Sequence, residues 1–245
     1  MKQARFQEQI LKLQRAERPA IVIVKRAENG GPRLGVFASS FDPITTAHVA
    51  LIEQAASAFS LDQVLALAGT ANADKQAYDC PLGVILEMLE LAFGDKKSVS
   101  IGVSSSAFFV DMVDAIHQAY PAAVSPFFIV GFDTFVRILD FEGRYVGRYS
   151  RTFLDRSQAF EYLRSSSYLI VAARGGQGES EVSKLVAREP KVAGGHVLFL
   201  DFPADLGERS STEVRERIRS GLPVTGLVPA AVESYIETNN LYSAG

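Results

Sequence analysis

The sequence predicts an α/β fold: a doubly wound parallel sheet with helices on both faces and a C-terminal helical tail. Three observations predict it. Short apolar runs rich in β-branched residues alternate with stretches of helical spacing over most of the chain. Those runs are apolar almost throughout rather than every second residue, as strands buried on both faces must be. The chain has 245 residues, 47% of them hydrophobic, enough to bury a core on each side of such a sheet.

In chain order, residues 3–16 place Phe6, Ile10 and Leu13 at helical spacing. Residues 20–27 (AIVIVKRA) read as a short strand, closed by the turn signal Asn29-Gly30-Gly31-Pro32. Residues 33–39 (RLGVFAS) form the first regular strand. The alternation then runs through helix 46–59, strand 64–68, helix 82–93, strand 99–103 and helix 108–119. Strand 127–130, helix 132–140, helix 158–164, strand 168–172 and helix 182–188 follow. A last strand, 197–200, precedes helices at 212–219 and 229–239. Strands separated by helices require crossover connections and hence a parallel sheet. The expected division is an N-terminal helical extension with a short strand, 1–32, and a single α/β domain, 33–245.

Composition excludes several function classes. One cysteine, Cys80, rules out an intrachain disulfide framework and a multi-cysteine zinc site. A net charge of −3 gives no global basic footprint for nucleic acid or an anionic membrane. Residues 1–19 are charged throughout, unlike a signal peptide, and no apolar run reaches the length of a membrane span. The expectation is a cytoplasmic protein without nucleic-acid or membrane partners; a homo-oligomer is compatible with the sequence.

In an open parallel sheet, ligands bind beyond the carboxyl ends of the strands. Three clusters lie there. The first runs from Ser39 and Ser40 through Phe41-Asp42-Pro43-Ile44 to Thr45 and His48. Small residues let backbone approach a phosphate, a threonine caps the helix, and a histidine in the first turn can follow phosphate charge into a transition state. A capped, proline-containing turn with a packed histidine explains the same residues. The second cluster is Arg209-Ser210-Ser211-Thr212 with Arg215 one turn later. It reads as a phosphate cradle or simply as a helix cap, since Ser210 and Glu213 fit a capping box. The third is Gly131 and Asp133 after strand 127–130, suited to a ribose or to an ordinary turn. His117, His196, Cys80 and the glycines at 175–178 carry no pattern that demands more than a structural role. The Arg-rich segment 144–156 reads equally as a loop over a substrate or as a solvated connection.

Taken in order, S-F-D-P-I-T-x-x-H, G-x-D and S-S-T-x-x-R resemble the nucleotidyltransferase superfamily, whose hallmarks are T/H-x-G-H and I-S-S-T-x-x-R. Within it the chain is most similar to the nicotinamide/nicotinate mononucleotide adenylyltransferases. The closing Leu227-Val-Pro-Ala-Ala-Val-Glu-Ser-Tyr-Ile-Glu-Thr-Asn-Asn-Leu-Tyr242 and the strand ending at Arg174 add to the likeness. It covers roughly residues 33–242 and implies a Rossmann-like domain that joins AMP from ATP to a pyridine mononucleotide, releasing pyrophosphate. It assigns catalysis to His48, Thr45 and Arg215. It assigns ATP binding to Ser39, Ser40, Phe41, Gly131, Asp133, Arg174, Ser210, Ser211 and Thr212. Mg²⁺ would ride on the triphosphate, with no metal cluster of protein ligands. Lys75 would meet the mononucleotide phosphate. The family stacks the pyridine ring on aromatic side chains, often tryptophan; this chain has none. Stacking then falls to Phe108, Phe109 or Tyr145. The chain departs from the pattern at Ala38, Ser39, Ala47 and Ile85, and at Arg209, which stands where the family has isoleucine and adds a cation beside the phosphate site. Two alternatives stay open: another phosphorylated acceptor, such as a pantetheine-type one, and a non-catalytic nucleotide-binding homologue.

Overall fold

The computed structural model describes residues 5–70, 78–120, 124–173, 178–188, 196–207 and 209–243. Seven strands form one sheet: β1 (Ile21–Lys25), β2 (Arg33–Ser39), β3 (Gln63–Gly69), β4 (Val99–Ser104), β5 (Ser125–Gly131), β6 (Tyr168–Ala173) and β7 (Val197–Asp201). Their order across the sheet is β1-β4-β3-β2-β5-β6-β7. All neighbours from β4 to β7 are parallel. The exception is β1, which lies antiparallel on β4, with Val22 opposite Val103. The N-terminal strand is therefore an edge of the same sheet.

The expected helices are all present. With one more, the short α8 (Ala204–Gly207), they are α1 (Gln7–Gln14), α2 (Thr46–Ala58), α3 (Leu82–Phe93), α4 (Phe109–Ala119), α5 (Phe132–Leu139), α6 (Arg156–Ser166), α7 (Glu179–Ala187), α9 (Ser211–Arg219) and α10 (Ala230–Thr238). The four-residue α8 lies in what reads from sequence as a loop.

Alternation along the strands sorts the core into two layers. Val64, Ala66 and Ala68 of β3 face one layer, built with Leu51 and Ile52 of α2, Leu86 and Leu89 of α3, Val214 of α9 and Val232 of α10. Leu65 and Leu67 face the other, with Val113 and Ile116 of α4, Phe135 of α5 and Phe160 of α6. Leu65 and Leu67 are fully buried, which is why β3 reads as an unbroken apolar run. Each contributes about 1.5–3 kcal/mol by burial. The α1 helix anchors through Phe6 and Leu13, both buried in the first layer.

The topology sets the location of the site. The chain starts the parallel sheet at β2, adds β3 and β4 outward on one side, then crosses back to place β5 on the other. The strand order reverses between β2 and β5, so the crevice lies above Ser39 and Gly131.

Candidate active site

A cleft of about 460 Å³ opens there. Its floor is the end of β2 (Phe37, Ala38, Ser39 and Ser40) and of β5 (Ile129, Val130 and Gly131). His48 lines it, as do Arg209, Ser210, Ser211 and Thr212, and so do Phe108, Phe109, Tyr145 and Tyr149.

The His48 side chain is held by local sequence. Thr45 caps α2, its hydroxyl accepting the His48 backbone N–H at 3.3 Å. In return the Thr45 backbone N–H donates to His48 Nδ1 at 3.0 Å. An imidazole whose Nδ1 accepts carries its proton on Nε2 when neutral, making that edge a donor. Phe37 and Phe41 pack against the ring, centroids at 5.6 and 5.3 Å. The ring is thus oriented by two aromatic rings and one reciprocal cap, in the first turn of a helix whose N-terminus favours anions.

The N-terminus of α9 lines the same cleft. Ser210 caps it through the Glu213 N–H at 3.1 Å. The Ser211 hydroxyl donates to the Pro43 carbonyl at 2.8 Å, so α9 is pinned directly to the turn that precedes His48.

Asp42 ties that turn down further. Its carboxylate is buried and accepts the Asp79 N–H and the Tyr242 hydroxyl, each at 2.7 Å. Its carbonyl accepts from Arg215 Nη1 at 2.5 Å. Arg215 also pairs with Asp79 at 2.5 Å, and Arg219 reaches the same carboxylate at 3.1 Å. Four segments distant in sequence thus meet around Asp42, two of them, at Asp79 and Tyr242, on its carboxylate. Burial pushes the Tyr242 hydroxyl far above its ordinary value, so it stays a donor to Asp42.

The aromatic end forms a separate unit. Phe108 contacts Tyr145 and Tyr149 at 5.9 and 5.2 Å, and the Arg148 guanidinium lies 5.2 Å from the Phe108 ring. Burial, with Asp140 and Asp111 nearby, raises Tyr149 to about 12, so it presents a neutral ring. The segment 144–156 thereby contributes two cleft-lining rings, more than a solvated connection would.

Of the residues expected at the site, the cleft brings together Ser39, Ser40, His48, Phe109, Gly131, Tyr145, Ser210, Ser211 and Thr212. Phe41 is fully buried behind His48, with φ of 48° placing its backbone in the left-handed region. Thr45 is also fully buried and acts on the histidine as its cap partner. Asp133 is exposed in the first turn of α5. Arg215 does not line the cleft; it reaches the Asp42 turn, and its Nη2 donates to the Thr212 hydroxyl at 3.3 Å. Lys75, Arg174 and Gly175–Gln177 lie outside the described residues. Sequence reasoning passed over Tyr149, Phe202 and the Asp42 hub. The aspartate stands inside the first motif, but its partners lie 37 to 200 residues away.

Cys80 and His196 have packing partners away from this cleft lining. Burial pushes the Cys80 thiol up to about 11, which suppresses its thiolate. His196 stacks on Tyr168 and its Nδ1 meets the Ser167 carbonyl at 3.2 Å. Among the described residues, no three His, Cys, Asp or Glu side chains group to hold a metal ion, and no helix is long and apolar enough to cross a membrane.

Comparison with known proteins bears on this geometry. The family model described as cytidylyltransferase-like matches residues 36–217. A Herpetosiphon aurantiacus protein named "Probable nicotinate-nucleotide adenylyltransferase" is 30% identical over 217 residues, covering 86% of this chain and 99% of that one. A Dehalococcoides mccartyi protein of the same name is 28% identical over 218 residues, covering 86% and 97%. Among solved structures, Plasmodium falciparum nicotinic acid mononucleotide adenylyltransferase complexed with NaAD superposes with a TM-score of 0.62 at 16% identity, covering 85% and 96%. That likeness speaks to the fold alone.

Proposed function

Since the chain belongs to the cytidylyltransferase-like family and, within it, to the nicotinate-nucleotide adenylyltransferases, we propose that it joins the AMP moiety of ATP to nicotinate mononucleotide, releasing pyrophosphate, as a step of NAD biosynthesis. The observation that carries this reading is that His48 at the start of α2 and Ser210–Thr212 at the start of α9 line one cleft at the switch point.

In the reaction a phosphate oxygen of the mononucleotide attacks the α-phosphorus of ATP. The bond from that phosphorus to the bridging oxygen breaks, and pyrophosphate leaves with the electron pair. The attacking phosphate is already anionic, so no general base is required. Catalysis reduces to positioning and charge stabilisation. His48 Nε2–H and the two helix N-termini supply donors where negative charge accumulates. Ser39, Ser40 and Gly131 would offer backbone to the nucleotides, and Asp133, Lys75 and Arg174 would complete their binding. Arg215 braces the phosphate turn through the Asp42 carbonyl. Mg²⁺ enters on the triphosphate as part of the substrate. Phe108, Tyr145 and Tyr149, with Phe109 beside them, would take the pyridine ring that a tryptophan-free chain must stack elsewhere.

We take the catalytic unit as residues 33–245, with 1–32 as an appended helix and edge strand; the family match within 36–217 supports that division. The reading involves ATP and a mononucleotide in the cytoplasm, calls for no nucleic acid or membrane, and is compatible with a homo-oligomer. The test is pyrophosphate release from Mg²⁺-ATP with nicotinate or nicotinamide mononucleotide supplied separately. Release that requires the nicotinate form and disappears in His48→Ala is expected. Release with neither, despite ATP binding, would overturn it in favour of another acceptor or a non-catalytic homologue.

A further inference from the structure

We infer that Arg209 is a phosphate-binding residue that grips the β- and γ-phosphates of ATP and the pyrophosphate they become. This deepens the adenylyltransferase reading and rests on it.

The argument starts from an electrostatic anomaly. Arg209 immediately precedes the Ser210 cap of α9 and lines the cleft. Its Nη1 donates to the Thr46 hydroxyl at 3.1 Å and to the Gly226 carbonyl at 3.0 Å. Thr46 is the first residue of α2. The guanidinium therefore bridges two helix N-termini, each carrying partial positive charge, a position where a cation is disfavoured and an anion favoured. Both of its partners are neutral oxygens, and among the described residues no carboxylate pairs with it. They orient the guanidinium without cancelling its charge.

The cation that motif matching assigns to the phosphates is differently placed. Arg215 pairs with Asp79, which Arg219 shares, and its Nη1 is committed to the Asp42 carbonyl. It therefore has a carboxylate partner, which it shares with Arg219. Arg209 is thus a cleft-lining arginine with no carboxylate partner among the described residues, and a guanidinium offers a planar fork of donors that suits phosphate. An anion held between α2 and α9 would relieve the repulsion and use the remaining donors. Where the family has isoleucine, this chain adds one charge-assisted grip on the triphosphate.

Equilibrium binding of ATP, pyrophosphate and AMP to the full chain tests this, with Arg209→Gln and Arg209→Lys beside the wild type. Arg209→Gln is expected to weaken ATP and pyrophosphate about tenfold or more while AMP changes less than about twofold. Arg209→Lys, which keeps the charge but loses the fork, should show a smaller loss with the same selectivity, and serves if the glutamine variant fails to fold. Unchanged ATP affinity, or equal losses for ATP and AMP, would overturn the assignment. Dinucleotide formation by the wild type is measured in parallel. Arg209-dependent ATP binding without dinucleotide would overturn the function and keep the phosphate role; dinucleotide formation with Arg209-independent binding would do the reverse. A wild type that binds no ATP overturns both.

Discussion

Tyr242→Phe removes one oxygen and little else. The ring stays in place, so no cavity opens and the cost comes from the hydrogen bond. That hydroxyl donates at 2.7 Å to Asp42, whose side chain is only 3% exposed. The substitution leaves a buried carboxylate with the Asp79 N–H as its remaining donor among the described residues. A hydrogen bond to a charged group contributes about 1.5–3 kcal/mol, and a buried acceptor deprived of its partner loses its desolvation compensation as well. Urea unfolding should therefore show a stability loss of about 2–3 kcal/mol with an unchanged m value. Because Asp42 sits in the turn between Ser40 and Thr45, the KM for ATP should rise while the fold persists. A loss below about 0.5 kcal/mol would mean that the hydroxyl is dispensable to the carboxylate, and the hub argument would fail.

Three further outcomes follow from the same structure. Phe108→Ala should raise the KM for the mononucleotide about five- to tenfold and leave that for ATP within about twofold, since one stacked ring contributes about 0.5–1.5 kcal/mol beyond its area; steady-state kinetics with each substrate varied decides it. Stability should fall as pH rises from 10 toward 12, followed by urea unfolding. Tyr149 and Tyr162 are held at about 12 when folded, chiefly by burial, while unfolded tyrosines ionise near 10, so the unfolded state binds fewer protons in that window. His48→Ala should reduce kcat by about 10²–10³ with ATP affinity within about threefold, the signature of a group that acts mainly in the transition state.

The sheet was legible because its central strands are buried on both faces. Residues 64–68 read as continuous apolar sequence, and they occupy β3 between Gln63 and Gly69. The orientation of β1 was not legible. Residues 20–27 signal a strand, but its antiparallel seat on β4 depends on a partner about 80 residues away. The two capped helix starts at the cleft were legible because caps are local signals: Thr45, His48 and Ser210 each act within one helical turn. Asp42 was not, because a carboxylate inside a motif announces neither Tyr242 nor Asp79. The pairing of Arg215 with Asp79 was hidden for the same reason, which is why motif position overstated how directly its charge faces the cleft. Tyr149 belongs to a segment whose sequence alone reads equally as solvated connection, and only its packing on Phe108 places it at the cleft.

The most direct test of the central claim is the fate of labelled phosphorus. ATP carrying its label at the α-phosphate is incubated with Mg²⁺, nicotinate mononucleotide and the protein, and the products are separated. The account predicts label in a dinucleotide, unlabelled pyrophosphate in equal amount, and loss of both in His48→Ala. Label appearing as AMP without a dinucleotide, or a mononucleotide gaining the γ-phosphate instead, would contradict it.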